Sequence, residues 1–141
     1  MKRPIVIDTN VLFSFFKRDS TTRRLILCIS LDTPIYAPEY LLDELRSYST
    51  LIRRKAHLTH EDFERVLTLL RKYVTFIDYE SYADFLDIAI RITPDPKDVD
   101  FVALALKLNA ILWSNNKELK SVPVLEVLNT REIIKMFPEC L

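Results

Sequence analysis

Ile5-Val6-Ile7 is a run of β-branched residues without polar alternation, and it ends at Asp8. Such a run reads as a strand buried on both faces, the kind found in a parallel sheet covered by helices. Further short apolar runs occur at Pro34 to Ala37, Val74 to Ile77 and Ala110 to Trp113, with a weaker fifth from Val122 to Val124. Between them lie segments with helical spacing: 9 to 16, 20 to 30, 38 to 52, 59 to 73, 79 to 90, 96 to 108 and 130 to 137. In 38 to 52, Leu41, Leu45, Tyr48 and Ile52 form one stripe. Strands alternating with helices predict an α/β domain with a mostly parallel sheet and right-handed crossovers. With 141 residues, 49% of them hydrophobic, a single domain over residues 1–141 with its own core is expected. Ligands in such sheets gather at the carboxyl ends of the strands, so polar residues there are the first candidates for function.

The composition removes some classes of function. There is no glycine, which excludes the dinucleotide fingerprint and the P-loop, since both bring backbone N–H groups close to phosphates at glycine positions. Twenty basic and twenty acidic residues cancel, yet residues 1 to 72 carry 13 Lys/Arg against 9 Asp/Glu, and the remainder 7 against 11. Lys17, Arg18, Arg23 and Arg24 begin a basic region to which Arg46 and Arg53 to Lys55 can be added. Each is suited to a phosphate beside the first strand's end, or simply to a solvated helix surface. Cys28 and Cys140 form no metal-ligand or C-x-x-C pattern, which predicts free thiols in a reduced, cytoplasmic protein. No window approaches a signal peptide or a membrane span.

Four polar positions point to one sheet edge. Asp8 stands directly after the first strand in Ile7-Asp8-Thr9-Asn10, where it also suits a helix cap. Glu44 falls on or beside the apolar stripe of its helix, a costly place for a carboxylate unless a cation or an Arg from elsewhere meets it. Asp98 opens Asp98-Val99-Asp100-Phe101-Val102-Ala103, where Asp95 as cap and Asp98 as its partner would make a capping box. Ser114-Asn115-Asn116-Lys117-Glu118 comes after the strand at Trp113, and Asn115 with Glu118 suits another cap. His57 and His60 are three apart but straddle a turn that Thr59 would cap, so they are expected to be solvated.

Together these motifs resemble the PIN domain, the fold of metal-dependent ribonucleases that includes the VapC-type toxins of toxin-antitoxin pairs. The opening Asp-Thr-Asn is matched by Asp8-Thr9-Asn10, the helix Glu by Glu44, and the Asp ahead of a small-residue-rich helix by Asp98 before Ala103-Leu104-Ala105. The Ser/Thr-x-Asp motif is matched by Ser114-Asn115-Asn116, with Lys117 and Leu119 also fitting. Asn116 stands where the family usually carries an acid, which keeps an oxygen but removes a negative charge. Asp100 is a candidate replacement, although residues two apart on a helix do not share a face.

The resemblance implies a three-layer α/β/α sandwich with strand order 3-2-1-4-5, bringing Asp8 and Asn116 together at the switch point while Glu44 and Asp98 arrive from helices. It implies a metal-dependent endoribonuclease with Asp8, Glu44, Asp98 and Asn116 as catalytic positions and Asp8 and Asp98 as ligands of Mg2+ or Mn2+. A cation held there would polarise the scissile phosphate and activate water, and Glu44 would orient that water or a second metal. It further implies an RNA substrate, an antitoxin partner and a homodimer. The alternative is a PIN-like domain that has lost catalysis and binds RNA or protein. Asn116 favours that reading; the cost of clustering Asp8, Glu44 and Asp98 without a cation opposes it.

Overall fold

In the computed structural model, which describes residues 3–141, five strands form one sheet. They are β1 (Ile5–Ile7), β2 (Ile35–Pro38), β3 (Thr75–Ile77), β4 (Ile111–Trp113) and β5 (Val127–Leu128), arranged in the order β3-β2-β1-β4-β5. Every neighbouring pair is parallel. β1 and β4 are buried along their whole length, as uniformly apolar runs require when both faces of a sheet are covered. β3, at one edge, is only partly buried. The three-layer α/β/α architecture and the strand order agree with the expectation from sequence.

The helices are α1 (Thr9–Ser14), α2 (Thr21–Ile29), α3 (Tyr40–Ser47), α4 (Ser49–Ala56), α5 (His60–Tyr73), α6 (Tyr79–Tyr82), α7 (Leu86–Ile92), α8 (Val99–Leu108) and α9 (Thr130–Met136). The most deeply inserted is α8, which packs on β1, β2 and β4 and buries Val99 and Phe101 through Ala105. Its small residues at 103 and 105 let the helix approach the sheet closely. Phe16 stacks on Phe63 with ring centres 5.1 Å apart, and this contact locks α5 onto the chain just after α1. The core is a single cluster running from Ile5 to Phe137.

Three sequence expectations need correction. The helix expected over 38 to 52 is two helices meeting at Tyr48, whose backbone (φ −96°, ψ 12°) leaves the helical region. Serines flank that residue on both sides, and their side chains compete for backbone groups. The fifth strand is not at Val122 to Val124, where Pro123 offers no N–H to a ladder and Val124 takes a left-handed φ of 58°. It forms three residues later at Val127, opposite Leu112. Residues 79 to 90 likewise form α6, a 3-10 turn and α7 rather than one helix.

The cysteines are the larger surprise. Cys28 on α2 and Cys140 in the final 3-10 turn are joined in a disulfide, with their Cα atoms 5.6 Å apart and a sequence separation of 112. The expectation of free thiols is therefore overturned, and no free cysteine is left among the described residues. Spacing along the chain carried no trace of this pairing, because it depends on α9 returning the C-terminus to α2. A cross-link closing so long a loop restricts the unfolded chain strongly. Cys140→Ser is expected to cost about 2–4 kcal/mol of unfolding free energy in urea. A matching loss on adding a thiol reductant to the native protein, and none in the variant, checks the assignment.

Candidate active site

The parallel pairing of β1 with β4 places Ile7 opposite Trp113, so the next residues, Asp8 and Ser114, leave the sheet side by side. The Asp8 N–H still donates to the Trp113 carbonyl (3.3 Å). This is the switch point of the sheet, where successive strands run off to opposite sides and a crevice opens. Asp8 is 4% exposed, and its two oxygens have different tasks. Oδ1 accepts the Val11 N–H (3.0 Å), capping α1, while Oδ2 accepts the Ser114 hydroxyl. Cap and site residue are thus the same side chain, and neither reading excludes the other.

From Ser114 the hydrogen bonding continues. The Ser114 hydroxyl oxygen accepts the Asn116 N–H (3.0 Å), and Asn116 Nδ2 donates to Asp98 Oδ2 (3.2 Å). Asp98 arrives from the junction of a 3-10 turn (Pro96–Asp98) with α8. Asp95 does cap that turn, accepting the Lys97 N–H, but no reciprocal side-chain bond from Asp98 completes a capping box. The Asp98 carboxylate faces the site instead. Asn116 Oδ1 accepts the Glu118 N–H (3.1 Å), so the cap of the following 3-10 turn is Asn116 and not Asn115. Asn115 accepts the Thr130 N–H at the start of α9. Asn116 therefore presents a donor to Asp98 and spends its oxygen on the backbone, a hydrogen-bonding part rather than that of a charged ligand.

Glu44, half-buried on α3, meets no cation among the described residues, so an Arg from another element does not explain it. It stands one helical turn from Tyr40. Burial, and then the negative charges of Asp100, Glu44 and Asp98 in that order, push the Tyr40 phenol well above its ordinary range. The charges of all three carboxylates thus act on one hydroxyl. Asp100 does not join Asp98 on Asn116: its Oδ2 accepts the Tyr82 hydroxyl (2.5 Å), as the divergence of positions two apart predicts. Ser114, Tyr40 and Tyr82 are additions to the candidate set. Only Ser114 had a sequence signal, through the Ser-x-Asn motif. His57 ends α4 and His60 begins α5, with Thr59 capping by accepting the Asp62 N–H; both imidazoles are exposed, as expected.

Burial raises the Asp8 carboxyl above its ordinary range, against the pull of the Ser114, Val11 and Asn10 donors. Asp98 is raised by burial, then by the charges of Asp95 and Asp8, against the Asn116 amide. A bound cation would relieve both. Among the described residues no three His, Cys, Asp or Glu side chains gather as a metal-holding group. Two carboxylates beside a phosphate nevertheless suit Mg2+, which is commonly held by one or two carboxylates with water and substrate filling the rest. Asp8 and Asp98 meet that requirement.

The sequence matches the profile of the PIN domain over residues 6–135, and the chain belongs to that family. PIN domains are generally nucleases, and these nucleases generally use divalent metal ions. Among solved structures, the crystal structure of VapBC2 from Rickettsia felis bound to a DNA fragment from their promoter contains a chain of the same fold. The TM-score is 0.65 at 19% identity, covering 89% of this chain and 97% of that one. No match is found among curated proteins. No helix among the described residues is long and apolar enough to cross a membrane.

A carboxyl raised in the folded state stabilises the fold when protonated, and that contribution is lost as pH rises through the folded pKa. In EDTA, Asp98→Asn is therefore expected to melt higher than the native protein at about pH 7, with the difference shrinking toward about pH 4. Thermal melts across that range check the sign.

Proposed function

We propose that the chain acts as a single PIN domain over residues 1–141 and is a metal-dependent endoribonuclease hydrolysing RNA phosphodiester bonds. The observation that carries this reading is the hydrogen-bonded run from Asp8 through Ser114 and Asn116 to Asp98 at the switch point. It holds two half-buried or buried carboxylates at one crevice, both raised in pKa, with no ion pair to a basic side chain among the described residues. Mg2+ or Mn2+ held by Asp8 and Asp98 would supply electrophilic polarisation of the scissile phosphate. The protein's own residues supply the rest. Ser114 and the start of α1 fix the Asp8 carboxylate. Asn116 orients Asp98 without adding charge. Glu44, with no ion pair among the described residues, would accept a proton from attacking water, and Tyr40 one turn before it on α3 stays protonated.

The match to the PIN profile supports nuclease chemistry, and the fold shared with a chain of VapBC2 supports a toxin paired with an antitoxin. A homodimer and a cytoplasmic site of action are inferred from the same likeness. The second reading, a PIN domain weakened in catalysis that binds RNA or protein, is favoured by one observation: the Asn116 amide points a donor where the family usually has a carboxylate.

The two readings separate in one experiment. Purified protein incubated with structured RNA and Mn2+ is expected to cleave it, and Asp8→Asn to lower the rate by about 100-fold or more, as for loss of a group acting in the transition state. Asn116→Asp, which exchanges the donor for a third charge, is expected to tighten Mn2+ binding by calorimetry and to raise the rate. No cleavage by either the native or the Asn116→Asp protein would leave the binding-module reading standing alone.

A further inference from the structure

Asp98 stands at the threshold of α8 and Asp100 lies inside its first turn. The helix has no side-chain cap: Asp98 occupies the capping position, but its carboxylate turns to Asn116 instead. Asp95 caps only the 3-10 turn that precedes α8. Helix ends fray when their backbone groups are not held, and the bond from Asn116 comes from a neutral amide at 3.2 Å, the long end of the ordinary range. The direction of the Asp98 carboxylate therefore depends on what else holds this turn.

A hold comes from outside the helix. Asp100 Oδ2 accepts the hydroxyl of Tyr82, 18 positions earlier in the sequence, at 2.5 Å. Tyr82 is the last residue of α6 and is 1% exposed, with its ring edge-on to Tyr79. α6, the 3-10 turn after it and α7 all pack on α8. Burial, and then the hydrogen bond and charge of Asp100, push the Tyr82 phenol far above its ordinary range, so the hydroxyl stays a donor. A hydroxyl donating to a carboxylate makes one of the stronger hydrogen bonds, and a phenol buried this deeply would be costly to leave without a partner.

Successive residues on a helix turn by about 100°, so Asp98 and Asp100 diverge by about 200°. Holding Asp100 toward α6 thus turns Asp98 to the opposite side, where Asn116 and the crevice lie. We propose that Tyr82 and Asp100 are a positioning pair: their hydrogen bond fixes the first turn of α8 and through it aims the Asp98 carboxylate at the crevice. The pair rests on the nuclease reading for the cation and adds to it two residues outside the ligand set. Partners one step removed from a metal commonly change its affinity by about 10- to 100-fold. The rival assignment makes Asp100 itself a ligand, in which case Tyr82 would compete with the cation for the same oxygen.

Calorimetry with Mn2+ measures the pair's effect on the site, and the Asn116 side-chain amide signals in heteronuclear NMR spectra taken in EDTA report on Asp98 without any metal. Tyr82→Phe keeps the ring and removes the donor, while Asp100→Ala removes the acceptor. Each is expected to weaken Mn2+ binding by about ten-fold or more, and the double variant by no more than either alone. Asp100→Asn keeps an acceptor oxygen for Tyr82 and should bind Mn2+ within about two-fold of the native protein. In EDTA the Asn116 amide signals, identified by their loss in Asn116→Asp, should move in Tyr82→Phe and Asp100→Ala and stay in place in Asp100→Asn. Leu67→Ala, a core truncation on α5, should lower the melting temperature and leave both readouts unchanged. Mn2+ affinity and amide signals unmoved by Tyr82→Phe overturn the pair. So does a loss of affinity in Asp100→Asn as large as in Asp100→Ala, which would make Asp100 a ligand. Amide signals that move as expected in a protein that binds no Mn2+ overturn the metal-dependent reading and uphold the pair.

Discussion

Everything at the site depends on the parallel pairing of β1 with β4. Both strands are short, wholly apolar and fully buried, so register is their only means of placing the polar residues at their carboxyl ends. A slip of one residue would turn Asp8 and Ser114 to opposite faces of the sheet. In the observed register a serine hydroxyl meets one carboxylate oxygen while a helix N-terminus holds the other. A buried carboxylate is tolerated only when its lone pairs are met in this way, and Asp8 is met without being neutralised. That is the condition in which a carboxylate is stable enough to keep and still short of positive charge.

Asn116 decides how much charge the crevice holds. With its amide donating to Asp98 and its oxygen capping the next turn, the side chain bridges two elements at no electrostatic cost. An aspartate there would repel Asp98 and depend on a cation for its place. Without a cation the crevice is thus less strained than a ring of four acids would be, and a metal held there would be held correspondingly more lightly. Asp100 does not restore the missing charge, because its carboxylate is tied to Tyr82. After burial, which raises the Tyr40 phenol most, the Asp100 charge adds to those of Glu44 and Asp98 in keeping that hydroxyl protonated.

The absence of glycine has a structural counterpart. Among the described residues, the left-handed positions are filled by Asp19, His57, Asn109 and Val124. Asn and Asp tolerate this region through local side-chain hydrogen bonding, and Asn109 ends α8 in that way. Valine does so at a steric cost, and at Val124 the chain turns at the end of the run where apolar character alone had suggested a strand, three residues before β5 begins.

Residues 5–7 and 111–113 declared their burial by lacking polar alternation, and that one property implied the parallel sheet, its covering helices and the functional edge. Asp8, Asp98 and the Ser114 to Asn116 segment were legible because strand ends and helix starts are local events. So was the separation of Asp98 from Asp100, a matter of helical period. Contacts between distant segments were beyond the reach of the sequence. The disulfide of Cys28 with Cys140 is one, and the tyrosines closing around the acids are another. The Asn115 side chain meeting the Thr130 N–H at the start of α9 is a third. Periodicity and residue type determine which face of an element is buried, since those depend on neighbours a few positions away. Which side chain meets which across the crevice is decided by register and helix packing, where shifts of an ångström choose the partner, and only the tertiary structure holds that information.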